Sequence, residues 1–180
     1  VKPVSDLDSP EYHHKAGMRH VEMGQYNEAL TSFNRAIDLD KKFAPAYAGM
    51  GIAHANLKNR KDAKKFANKA EGLAGKDPDV LTLCARVWID LRHQEKKWYK
   101  DAEKLLKKAL KRKKNHEGAT YYTGELYLYQ YEFSQAEDHF RKVVEMKGEY
   151  SGKADKMWQM SQKIVRAMPG TLAGKKVALH

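Results

Sequence analysis

The stretch GMRHVEMGQYNEALTSFNRA, from Gly17 to Ala36, decides how this chain is read. Within it and just beyond, Ala29, Phe33, Ala36 and Ile37 stand at i, i+4, i+7 and i+8, which puts them on one face of a helix. Its small residues also return down the chain. Ala29 recurs as Ala63, Ala102 and Ala136, at spacings of 34, 39 and 34. Gly17 recurs as Gly51, Ala85 and Gly124, at 34, 34 and 39. Ala36, Ala70, Ala109 and Val143 keep the first rhythm, as do Tyr26, Arg60, Tyr99 and Phe133. A fixed period settles architecture before any local reading does. Here it is 34 residues, with one insertion of five.

The insertion lies in the third unit. His20, His54, Trp88 and Tyr127 are spaced 34, 34 and 39, so Trp88 precedes the extra residues and Tyr99 follows them. The segment 89–98 therefore carries a longer turn or a longer first helix, and its polar residues from Arg92 to Lys97 suit an exposed loop. Each period reads as two helices. Ala102, Leu105, Leu106, Ala109 and Leu110 repeat the apolar stripe of the first unit. Asp8 or Ser9 before Pro10, and Asp77 before Pro78, are caps followed by a helix-opening proline, and Asn115 and Ser151 are candidate caps further on. The recurring small residues fit places where two helices cross closely, where a larger side chain would cost ~1–3 kcal/mol in overpacking.

Gly17, Gly24, Tyr26, Ala29, Phe33 and Ala36 together resemble the signature of the tetratricopeptide repeat family. The second unit resembles it through Tyr47, Gly51, Ala63 and Ala70, and the fourth through Gly124, Tyr127, Phe133, Ala136 and Phe140. The third departs most, with Ala85 in place of glycine and the insertion, and the family's proline near the repeat end is replaced by Lys41 and Gly75. The resemblance implies an all-α, helical-hairpin solenoid wound as a right-handed superhelix. Its four hairpins would span 10–43, 44–77, 78–116 and 117–150, after an N-terminal extension at 1–9. Ala154, Met157, Trp158, Val165 and Met168 add one amphipathic helix, 151–168, ended by Pro169 and Gly170. A stack needs an end that covers its last apolar face, so this helix is expected to cap it, with 169–180 as a tail or linker.

Little in the sequence points to catalysis. Cys84, the single cysteine, excludes an internal disulfide and a cysteine-cluster metal site, and its apolar neighbours suggest a small buried filler. His13 and His14 are adjacent and project about 100° apart on a helix, so they do not share a metal easily. There is no His-Glu-x-x-His arrangement, glycine-rich phosphate loop or nucleophile beside a base. No enzyme activity, cofactor or metal is expected. No run reaches the ~18 apolar residues of a membrane span. A starting Met and an apolar leader are both absent, and a removed leader would look the same, so the compartment, cytoplasmic or periplasmic, stays open.

The formal net charge of +11 is concentrated in the third unit, where 78–116 holds 12 Lys and Arg against 5 Asp and Glu. Lys104, Lys107, Lys108 and Lys111 could form an anion-binding face for nucleic acid or another polyanion. The alternative is a solvated outer face whose cations suit the C-terminal end of a helix dipole. The second is preferred, because no aromatics alternate with these lysines as a stacking surface for single strands requires.

The resemblance places the main function elsewhere. In the family, the first helix of each hairpin lines a groove that takes a peptide or a partner helix. The matching positions here include His14, Met18, Val21, Ile52, Asn56, Arg86, Asp90, Tyr121, Glu125 and Tyr129. Family members that grip a chaperone's terminal carboxylate use Lys, Asn and Arg at positions filled here by His14, Met18, Gly49, Asp79 and Leu83. The expectation is a protein-binding scaffold without that clamp, its partner another protein rather than nucleic acid, with self-association left open.

Overall fold

The computed structural model describes residues 8–167; Met168, the tail at 169–180 and residues 1–7 of the extension lie outside the described residues. Those described form an all-α helical repeat: α1 (Pro10–Glu22), α2 (Tyr26–Leu39), α3 (Ala44–Asn56), α4 (Arg60–Ala74), α5 (Pro78–Asp90), α6 (Trp98–Arg112), α7 (Glu117–Tyr129), α8 (Phe133–Met146) and α9 (Ser151–Ala167). They fall into two compact units, one up to Leu105 and one from Leu106 onward, with the division inside α6.

Local chemistry sets the helix starts. Ser9 caps α1, its hydroxyl accepting from the Tyr12 amide at 3.1 Å, and Pro10 opens the helix. Asp77 caps α5 by accepting from the amides of Asp79 and Val80. The cap of α7 is His116 rather than Asn115: its Nδ1 accepts from the Ala119 amide at 3.0 Å. A neutral imidazole nitrogen can fill the acceptor role usually read only from Ser, Thr, Asp and Asn. Between the two helices of the first, second and fourth hairpins the chain turns through a left-handed residue, Gly24 (φ 73°), Lys58 (φ 63°) or Tyr131 (φ 63°). Only the first is a glycine, so the other two carry local strain.

In the first unit α1 packs on α2 and α3 on α4; α2 and α1 both reach α3, and α5 lies against α3 and α4. The recurring small residues sit at these crossings. A Cβ on Gly17 would come within 2.5 Å of the Phe33 ring, and one on Gly49 closer still, so Phe33 is held between α1 and α3. Phe33 and Ala29 are fully buried. Cys84 is buried as well, its Sγ 3.5 Å from the Ala67 carbonyl.

The third hairpin's insertion is a longer turn, 91–97, and it is not simply exposed. Leu91 is fully buried, and the Gln94 side-chain amide donates to the Ala55 carbonyl at 3.0 Å. Ala55 belongs to the last turn of α3, whose carbonyls lack intrahelical donors. Glu95 pairs with Lys64 at 2.9 Å and lies 3.9 Å from Arg60. The insertion thus ties back onto the second hairpin.

In the second unit α7 packs on α8, and α9 packs on α8. The Glu117 carboxylate, at the start of α7, accepts from the Tyr150 amide at 2.9 Å, and a Cβ on Gly148 would clash with that carboxylate. Trp158 stands 34 residues after Gly124, at the position that is small in every hairpin. A Cβ on Gly124 would meet the Phe140 ring at 2.7 Å. In α9 the matching residue is large, and Trp158 Nε1 donates to Glu137 at 3.4 Å. The helix therefore covers α8 and presents an outer face of Lys153, Lys156, Lys163 and Arg166.

Candidate binding surfaces

In the first unit the first helices α1, α3 and α5 lie side by side, and a polar network crosses them. Arg86 on α5 donates to Glu22, the last residue of α1, at 3.0 Å. Its Nε lies 3.8 Å from the Asp90 carboxylate one turn along. Asn56, at the end of α3, donates to Asp90 at 2.9 Å and to the Ile52 carbonyl at the same distance. Burial pushes the Asp90 carboxyl above the usual carboxylate range, against the opposing pull of Arg86 and Asn56. One guanidinium is thus set between two carboxyl groups, with Arg92 also close enough to act on Asp90.

Asn56, Arg86 and Asp90 are the expected residues that the fold brings together. Glu22 was missed, although it stands four residues after Met18 and so shares its helix face. Met18 and His14 are half-buried on α1. Val21 and Ile52 are corrections, being 4% and 0% exposed and offering nothing to a ligand. For Ile52 the reason is position: α3 has neighbours on both sides, so nearly its whole length is core.

His14 packs against the rings of Phe33 and Phe43, and its Nε2 is buried without a hydrogen-bond partner. Burial lowers its pKa from 6.5 to about 4, so the ring is neutral at pH 7. In the second unit Tyr121 is 6% exposed, a further correction, because it packs among Tyr122, Phe140 and Tyr150. Its hydroxyl still donates to Glu125 at 3.0 Å, and Glu125 and Tyr129 are half-buried on the same helix.

Residues 17–58 match the family model described as TPR repeat, the tetratricopeptide repeat. That stretch is a tetratricopeptide repeat. Solved structures of the fold agree. A thermophilic TPR protein of Thermus thermophilus superposes with a TM-score of 0.72 at 15% identity, over 87% of this chain and 82% of that one. A tetratricopeptide repeat protein from Parabacteroides merdae gives 0.68 at 15% identity, over 87% and 59%. YrrB, described as a TPR protein with an unusual peptide-binding site, gives 0.51 at 18% identity, over 91% and 81%. A search of curated proteins found no match.

Elsewhere on this repeat chain Lys104, Lys107 and Lys111 are exposed and Lys108 is half-buried, on a helix whose opposite face buries Ala102, Leu105, Leu106 and Ala109. No described helix is long and apolar enough to cross a membrane. Among the described residues no group of three or more His, Cys, Asp or Glu is placed to hold a metal ion.

Proposed function

We propose that the chain is a protein-interaction scaffold, not an enzyme, that takes a peptide or a partner helix along the first helices of its hairpins. The observation that carries this is the network of Glu22, Arg86, Asp90 and Asn56, which spans α1, α3 and α5 at a half-buried surface. Polar groups ordered at a surface and flanked by an apolar side chain, here Met18, are what a ligand backbone and one apolar anchor recognise. A fold shared with YrrB, whose description includes peptide binding, is consistent with this.

The ligand is not held by a terminal-carboxylate clamp. His14, the one residue at the five matching positions that could become cationic, is neutral at pH 7. Gly49 is buried against Phe33, and Asp79 is exposed and acidic. Arg86, the arginine of this network, is already engaged by Glu22 and Asp90.

Affinity capture from the native source, comparing the chain with Met18→Glu and Arg86→Glu variants, tests the groove. Both should lose the partner, while Lys104, Lys107, Lys108 and Lys111 changed together to Gln should keep it. The reverse outcome would transfer the function to the lysine face. Titration with a chaperone C-terminal peptide should show no binding; micromolar affinity that disappears when the peptide is amidated would refute the absence of a clamp.

A further inference from the structure

The second unit holds a cleft of about 480 Å³ where the last turn of α6 and the residues after it face α8. Ligand clefts span roughly 300–1,000 Å³. Leu110 and Met146 give it apolar walls, Lys114 and Lys142 give it a cationic edge, and His139 adds an imidazole that burial holds toward its neutral form. Lys114 and Lys142 are exposed, and among the described residues neither has an ion-pair or hydrogen-bond partner. Lys107 and Lys108, nearby in sequence, are engaged by neighbouring groups. Glu145 is the one carboxylate in the lining, and its Oε1 lies 3.7 Å from Arg141 Nη1. His139 has its Nδ1 2.8 Å from the Gln135 carbonyl, which fixes the ring's orientation.

We infer that this cleft binds an acidic segment of a partner protein, with an apolar side chain against Leu110 and Met146 and a neighbouring carboxylate between Lys114 and Lys142. Two cations without partners, set at the edge of apolar walls, match a residue pair such as Leu-Asp or Phe-Glu. A nucleic-acid backbone is a poorer match, since it brings repeated phosphates with no apolar group and would meet Glu145. The cleft uses none of Tyr121, Glu125 or Tyr129 and is independent of the groove read above.

Nuclear magnetic resonance titration of the isotope-labelled full chain tests this. The probe is a capped peptide, Glu-Asp-Leu-Phe-Asp-Glu, with a ten-nucleotide oligouridylate as the rival. The peptide should give saturable shifts at Leu110, His139 and Met146. Lys142→Glu should weaken it by about tenfold, the scale of one lost charge-assisted contact. Replacing the peptide's Leu and Phe by Ser should weaken it comparably. Lys104→Glu should leave the affinity unchanged, which separates this site from the general charge of the chain, and Met18 should show no shift, which separates it from the groove. Equal loss on Lys104→Glu, tighter binding of the oligouridylate at the same residues, or no saturable shift at millimolar peptide would each overturn the proposal.

Discussion

Acidification should loosen the first hairpin through one residue, His14. Its imidazole is packed between Phe33 and Phe43 with Nε2 buried and unpartnered, so folding favours the neutral form. The folded pKa is about 4 against 6.5 for the free side chain. The direction follows from which state binds the proton. Above pH 6.5 both states hold neutral His14, and the fold keeps its full stability. Between 6.5 and about 4 the unfolded chain takes up a proton that the folded chain refuses, so stability falls with pH. Below about 4 this group adds no further loss. At about 1.4 kcal/mol for each tenfold change in proton affinity, the whole window amounts to about 3 kcal/mol, of which about 2.5 is lost by pH 4.5.

Urea unfolding at pH 7.5 and 4.5, for the chain and for His14→Phe, reads this directly. The variant removes the titration while keeping an aromatic ring among aromatic neighbours. His54 and His139, also lowered chiefly by burial, lose stability in the same direction but do so in both proteins and cancel. Asp8, Asp38 and Glu95 have lowered pKa values, so they release their stabilisation at the acidic end, below about 4.5, again in both. The stability difference between the two proteins should therefore move by about 2.5 kcal/mol in favour of the variant at pH 4.5. A difference unchanged between the two pH values would mean that His14 is solvated or paired, and the packing of α1 as described would be wrong.

Four further outcomes rest on packing and backbone geometry. Gly17→Ala and Gly124→Ala should each destabilise by ~1–3 kcal/mol in thermal unfolding, because the added methyl meets Phe33 or Phe140. Gly72→Ala, on α4 with nothing within 4 Å, should instead stabilise by up to ~1 kcal/mol. Tyr131→Gly and Lys58→Gly should stabilise by about 1 kcal/mol each in urea unfolding, since both residues hold left-handed backbone that glycine adopts freely; Gly24→Ala should do the opposite. Truncation after Tyr150 should expose the apolar side of α8 that α9 covers, and light scattering should show aggregation; a monomer of unchanged melting temperature would contradict the capping role.

What the sequence displayed and what it concealed differ by a physical distinction. The period could be read because a crossing tolerates only small residues, and Gly17, Ala29 and their repeats record that constraint in residue type alone. The helix starts could be read where Ser9 and Asp77 announced them, but His116 caps α7 with a nitrogen lone pair that composition does not advertise. The groove could be read only as a face. Spacing tells which side of a helix a residue occupies, whereas depth depends on how many helices flank it. Ile52 and Asn56 share a face of α3, yet Ile52 lies in the middle of a helix with neighbours on both sides and is wholly covered, while Asn56 at its end reaches Asp90. Tyr121 is lost to the core for another long-range reason, the arrival of Tyr150 from 29 positions away. Glu22 joins Arg86 across 64 residues, a contact that exists only once α1, α3 and α5 stand in a row. The ligand-facing chemistry of a repeat chain therefore belongs to the stack. Any variant chosen to probe it must spare residues such as Ile52, where an introduced charge would report unfolding instead of binding.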